Sequence, residues 1–321
     1  MVRVGVPPET SPELFENFPP EVSVHVLPPK PESPIEIDFW VASVYAAAAK
    51  QIVPQLRGVK VVQSLQAGVD WLKPLVPEGA QLCDAQGVHN VATAEWAVAA
   101  LLAMLKFLPR YVDLQHEGKW ANRPAANAYY KSLYKTDHDP FPPVLLEELD
   151  RKTVLIVGYG SIGKSIEDRL IPFGCNIQRI ARNARPGVEP IGSLHALLPQ
   201  ADAVVLITPL TAETRGLIGA KELALMKQGA VLVNAARGPV VDTGALLDAL
   251  NNGRIRAALD VTDPEPLPDG HPLWHAPNVL ITPHVAGSSP MFMTRAFEFI
   301  ASQVRRFANG EPLENVVHGE Y

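Results

Sequence analysis

Arg237, Glu265 and His284 are the side chains of this sequence best suited to carry chemistry together. They stand in Val-Asn-Ala-Ala-Arg-Gly-Pro, Asp-Pro-Glu-Pro-Leu and Thr-Pro-His-Val-Ala-Gly, with Asp260 of Ala-Ala-Leu-Asp-Val between the first two. A guanidinium is a permanent cation whose fork matches a carboxylate. An imidazole changes charge near neutral pH, and a carboxylate beside it favours the protonated form. Downstream of a dinucleotide fold, such a set can place a hydride and a proton on a carbonyl. His271 and His275, in Asp-Gly-His-Pro-Leu-Trp-His, are the rival acid–bases. They lie in a Pro-rich loop, whereas His284 directly follows an apolar strand, and this favours His284. Plainer readings exist: Arg237 as a surface arginine, Asp260 as a strand-end acid, and Glu265 as a loop acid between Pro264 and Pro266. Glu95 is read as a structural helix carboxylate.

Upstream stands the turn Gly158-Tyr159-Gly160-Ser161-Ile162-Gly163. Alone, G-x-G-x-x-G is a weak signal; here it follows the apolar run Thr153–Val157 and opens a helical pattern, the context of a nucleotide site. Glycines at 158 and 160 let the turn tighten and a pyrophosphate approach the backbone, where the amides of Ser161 and Ile162 can bind it. An NAD site usually places an acid about 20 residues on, at the end of the second strand. This chain has Ile180-Ala181-Arg182-Asn183-Ala184-Arg185 there and no acid. Arg182 and Arg185 suit a 2′-phosphate, so NADP(H) is expected to be preferred, with NAD(H) possible. The plainer alternative is a pair of solvated arginines.

The elements positioning these groups change character along the chain. Strands are expected at Val2–Val6, Val22–Val26, Val59–Leu65 and Gln81–Cys83, with a helix over Ala42–Leu56 and another from about Thr93 to Leu108. The stretch from Arg110 to Pro143, with Trp120, Tyr129, Tyr130 and Tyr134, reads as an irregular aromatic arm whose leading partner is a second subunit. From Lys152, apolar strands near Asn176–Ile180, Ala203–Ile207, Ala230–Val233, Ala257–Val261 and Val279–Ile281 alternate with helices, which implies a parallel sheet covered on both faces. The fold class is α/β: two Rossmann-like or flavodoxin-like domains with parallel sheets and an active site in the interdomain cleft. Residues 1–92, completed by 290–321, are expected to bind substrate, and 93–289 to bind the dinucleotide.

Composition narrows the classes. With 321 residues, 47% hydrophobic and 19% charged, the chain can bury two cores. A net charge of −6 speaks against nucleic acid or an anionic membrane as the main partner. Cys83 and Cys175 are the only cysteines, far apart and in no metal-like spacing, so neither a disulfide framework nor a metal site is expected. The opening Met-Val-Arg-Val-Gly-Val-Pro reads as a strand, not an apolar signal region, and the run near Ala94–Leu108 carries Glu95 and Lys106. A cytoplasmic location is expected.

The chain also resembles the D-isomer-specific 2-hydroxyacid dehydrogenases, above all their glyoxylate/hydroxypyruvate reductase-like members. The matching stretches, in family order, are Ala67–Asp70, Ala94–Trp96, Val157–Gly163, Thr208–Ile218, Val233–Asp242, Ala258–Val261 and Pro277–Gly287. The resemblance implies that His284 protonates the substrate carbonyl, that Glu265 orients its imidazole, and that Arg237 binds the substrate carboxylate. It implies backbone amides from Ala67, Gly68 and Val69 on the same carboxylate, and Asp260 at the nicotinamide end of the cofactor. Pro209, Thr214, Ala235, Ala236, Arg237, His284 and Gly287 enter as cofactor contacts on the resemblance alone, and it implies a homodimer. Formate dehydrogenases share the architecture but carry Gln where this chain has Glu265, and phosphoglycerate dehydrogenases often append regulatory domains. C-terminal-binding-protein corepressors, which use the fold as a nucleotide-sensing scaffold, are the non-enzymatic alternative.

Overall fold

A computed structural model of the chain describes residues 1–118, 120, 125–138 and 147–319. The chain divides into two compact units, residues 1–89 with 288–321, and residues 90–287.

The first unit holds a parallel sheet in the order Val22–Val26, Val2–Val6, Phe39–Val41, Val61–Gln63, Gln81–Cys83. Side chains alternate across a strand. Phe39, Val41 and Val61 therefore join Val4 and Val6 on one face, packed on Phe297, Ile300 and Val304 of the helix Phe292–Ala308. Trp40 and Val62 face the other way, onto Ala49 and Ile52 of the short helix Ala46–Ile52. Phe39–Val41 was not anticipated. It is a three-residue strand, fully buried on both faces, and so lacks the alternation that marks a strand in sequence.

The second unit is a seven-stranded, all-parallel sheet. Its order is Glu189–Pro190, Asn176–Ala181, Thr153–Val157, Ala203–Leu206, Val231–Asn234, Arg256–Leu259, Val279–Ile281. Val154 and Ile156 pack under the helices Asn90–Leu105 and Ser161–Leu170, while Leu155 and Val157 face the side covered by Thr243–Asn251. The chain runs outward from Thr153–Val157 in one direction and then returns to the other side of it. This doubly wound order puts a switch point between Thr153–Val157 and Ala203–Leu206, where ligands bind in such sheets.

The expected irregular arm is largely helical where described: Leu108–Glu117 and Ala125–Tyr134 are helices, the first bent by 62° from Asn90–Leu105 at Phe107. Pro142 and Pro143 lie outside the described residues. Two of the arm's tyrosines pack on their own unit. Tyr129 donates to Asn278 and Tyr134 to Glu147, and Gly229 leaves room for the Tyr134 ring, which a Cβ there would meet at 2.7 Å. Arg256, 1% exposed, closes this joint by pairing with Glu147 at 2.7 Å and donating to the Met104 carbonyl at 2.8 Å. Among the described residues no single helix is long and apolar enough to cross a membrane.

Candidate active site

Six loops leaving the carboxyl ends of neighbouring strands of the second unit carry groups singled out above: those after Asn176–Ala181, Thr153–Val157, Ala203–Leu206, Val231–Asn234, Arg256–Leu259 and Val279–Ile281.

The glycine turn follows Thr153–Val157. Gly158 has φ +105°, and a Cβ on it would lie 2.6 Å from the carbonyl of Ile207. A Cβ on Gly163 would lie 2.9 Å from the Gly158 carbonyl oxygen. Those two glycines answer to packing within the chain. Gly160 does not: nothing among the described residues stands within 4 Å of its missing Cβ, at the residue preceding the helix Ser161–Leu170. The first N–H groups of a helix lack intrahelical acceptors and carry its positive end. Open space at that point, lined by the amides of Ser161 and Ile162, fits a pyrophosphate. A further observation agrees: Thr208, beside Gly158, has a buried hydroxyl with no hydrogen-bond partner among the described residues.

Ala181 ends the second strand of this unit, and Arg182 and Asn183 follow it. Arg182 lies 3.8 Å from Glu213 in a half-exposed pair. Arg185 turns back over the glycine turn, donating to the Tyr159 carbonyl with its guanidinium 5.7 Å from the Tyr159 ring centre. Pro209 and Thr214 share a loop, the Thr214 hydroxyl donating to the Pro209 carbonyl at 2.7 Å.

Arg237, Glu265 and His284 come together. Glu265 Oε1 and His284 Nδ1 are 2.5 Å apart. That bond raises the His284 pKa from its ordinary value, against burial and the repulsion of nearby Arg237, and lowers the Glu265 pKa. The rival histidines are elsewhere: His271 Nδ1 accepts from the Leu273 amide and caps the turn Pro272–His275. Glu95 pairs with Arg169 at 3.3 Å on the surface.

Sequence reasoning missed what holds the three in place. His284 has φ 53°, a left-handed backbone that costs free energy for a non-glycine residue and persists only when its surroundings fix it. Asp260, 3% exposed, does the fixing. Its carbonyl accepts from the His284 amide at 2.7 Å. Its carboxylate accepts from the Val285 and Ala286 amides at 2.9 and 2.8 Å and from the Thr282 hydroxyl at 2.6 Å. The residue expected at the nicotinamide end thus spends three hydrogen bonds on the loop that presents the imidazole. Asn234 acts likewise for Arg237, accepting from the Ala236 amide at 3.0 Å and donating to the Arg237 carbonyl at 3.2 Å, while the Ala235 amide reaches Leu206. Gly238 then lets the Arg237 loop touch the Glu265 loop, for a Cβ there would lie 1.8 Å from the Thr262 carbonyl oxygen. A polar residue closing the apolar run Val-Leu-Val-Asn, and a glycine right after the arginine, were the available signals. Ala67, Gly68 and Val69 belong to the first unit, and Gly287 ends the second.

Comparison with known proteins agrees with this arrangement. A family profile described as D-isomer specific 2-hydroxyacid dehydrogenase, NAD binding domain, matches residues 98–286. The chain belongs to the D-isomer-specific 2-hydroxyacid dehydrogenases. The glyoxylate reductase of Aeropyrum pernix is 33% identical over 99% of this chain and 96% of its own. The D-3-phosphoglycerate dehydrogenase of Methanocaldococcus jannaschii is 30% identical, and the chain spans only 52% of its length. Among solved structures, the NADPH-dependent glyoxylate/hydroxypyruvate reductase of Sinorhizobium meliloti, bound to NADP and sulfate, superposes with a TM-score of 0.80. It is 28% identical and is matched over the whole of both chains. This dehydrogenase is therefore an oxidoreductase, its 90–287 unit a Rossmann domain for a nicotinamide cofactor.

Proposed function

We propose that this dehydrogenase reduces a small 2-keto acid of the glyoxylate or hydroxypyruvate type to the D-2-hydroxy acid, with His284 as proton donor and NADP(H) as the preferred coenzyme. The observation that carries this reading is the 2.5 Å Glu265–His284 bond set beside Arg237. When bound, the reduced nicotinamide supplies the hydride for the carbonyl carbon. His284 gives its Nε2 proton to the carbonyl oxygen, so the alkoxide charge never develops fully. Glu265 keeps the imidazole charged and turned, and the half-exposed ring regains its proton from water. Arg237 holds the carboxylate with its fork, and the backbone amides of Ala67, Gly68 and Val69 share it. Asp260 and Gly287 stand toward the nicotinamide. Arg182 and Arg185, with Ala181 and Asn183, take the 2′-phosphate end, where an acid would repel it.

The chain is also proposed to work as a cytoplasmic homodimer. Leu108 and Val112, one turn apart on Leu108–Glu117, are 50% and 46% exposed, an apolar pair that a second copy would cover. Sedimentation of wild type and of Leu108→Lys/Val112→Lys tests that reading, which an unchanged dimer or a wild-type monomer rejects.

A panel of 2-keto acids with NADPH and NADH, followed by nicotinamide absorbance, tests the function. Turnover of glyoxylate or hydroxypyruvate, faster with NADPH, is expected. Tight coenzyme binding with negligible turnover would instead fit a nucleotide-sensing scaffold.

A further inference from the structure

Two glutamines in the first unit are fully buried: Gln63, the last residue of Val61–Gln63, and Gln303 on the helix Phe292–Ala308, both 0% exposed. A buried carboxamide is costly unless its donors and acceptor are met, and leucine fills similar space without that demand. These are met in one pattern. Gln63 Nε2 donates to the carbonyls of Ser64 at 2.9 Å and Asp84 at 3.0 Å, with Cys83 at 3.4 Å. Gln63 Oε1 accepts from Gln303 Nε2 at 3.3 Å. Gln303 is itself held by the backbone of Glu314, donating to its carbonyl at 2.8 Å and accepting from its amide at 3.0 Å.

The segment gripped by this pair leads straight into Ala67-Gly68-Val69. Buried Ser64 accepts the Gln66 amide on its hydroxyl at 2.9 Å, and the Ala85 amide donates to the Gln66 carbonyl at 3.0 Å. Two strand-end loops and the C-terminal segment are thus tied through one pair of carboxamides. Amides that bind an anion must already point at it, because reorganising them on binding consumes the affinity they provide.

We propose that Gln63 and Gln303 are positioning residues for the keto acid: they fix the Ala67–Val69 amides in the orientation that receives the substrate carboxylate. This rests on the reading that those amides bind the carboxylate. Gln63→Leu keeps the size and burial of the side chain while removing the link, and Gln303→Leu breaks it from the other side should the first variant fold poorly. The expected result is a KM for glyoxylate raised about tenfold, with kcat within about twofold and the Kd for NADPH, read by fluorescence titration, unchanged. A folded variant with lowered Tm but wild-type KM would overturn the proposal and leave the glutamines with packing alone. An equal fall in kcat, or weakened NADPH binding, would also overturn it. Gly68→Pro, which removes an amide from the loop itself, separates the layers. A raised KM there beside a wild-type KM in Gln63→Leu sinks only the positioning role. A wild-type KM in Gly68→Pro sinks the carboxylate reading and the proposal together.

Discussion

Protonating a carbonyl oxygen requires an imidazolium at working pH, and the hydrogen bond that His284 donates to Glu265 raises the His284 pKa toward that end. Because the value is raised, the donor persists as pH climbs past the ordinary 6.5 and is lost only above its shifted value, where reduction should slow. Glu265→Gln removes the leading cause of the shift. The basic limb of the kcat/KM profile for reduction should then move to lower pH, and a limb that stays in place would free Glu265 of that role. His284→Ala should lower kcat/KM by about two to four orders of magnitude while coenzyme binding survives. At the far end of the nucleotide site, Arg182→Asp should move the NADPH/NADH ratio of kcat/KM toward NADH, since an acid repels a 2′-phosphate and accepts from a 2′-hydroxyl. These residues stand out as candidates in the sequence because the chemistry restricts residue type: a permanent cation, an acid and an imidazole. What Asp260 does was less visible. An acid at a strand end looks the same in sequence whether it faces a ligand or holds a loop, and only its three accepted hydrogen bonds reveal the second task.

Between elements, close approach decides whether the three side chains meet. Arg237 and Glu265 ride on loops after different strands, and those loops touch at Gly238 and Thr262. Gly238→Ala should force them apart, costing about 1–3 kcal/mol of stability in a chemical melt. It should also cost about a hundredfold in kcat/KM, because misplacing a reacting group by about 1 Å carries that penalty. Wild-type activity in Gly238→Ala would mean that the loops can part without harm. The turn glycines divide in the same way. Gly158 and Gly163 are required by carbonyls of this chain, while Gly160 faces open space at a helix start. The motif alone identified all three without telling these duties apart.

At the scale of the molecule, the arm between Leu108 and Tyr134 is anchored by a buried cation. Arg256 opens an interior strand of the second unit, where an apolar side chain is the rule, and meets Glu147 and the Met104 carbonyl, while its guanidinium lies 5.2 Å from the Phe107 ring centre. Glu147 is further held by Lys152 at 2.8 Å. Arg256→Met should lower unfolding free energy by about 1.5–3 kcal/mol, because it removes the cation that pairs with partly buried Glu147 and donates to the Met104 carbonyl. Thermal or chemical denaturation checks this, and an equally stable variant would show the joint to be dispensable. Tyr129 and Tyr134 of that arm are bonded within their own unit, and the sequence could not foretell it, because an aromatic side chain looks equally suited to burial whether its own domain or another chain covers it.

Local pattern and chemical necessity were enough to determine the α/β class, the nucleotide-binding unit, the absence of an acid after Ala181 and the family. Apolar strands alternating with helices can bury both faces in few ways, and a phosphate cradle or a proton donor admits few residue types. Tertiary structure alone decided which histidine Glu265 holds, what Asp260 and Asn234 grip, why Gly238 carries no side chain, and that two buried glutamines meet. Each of those depends on contact between segments distant in the chain, and such contacts leave only a single out-of-place residue as their trace in the sequence.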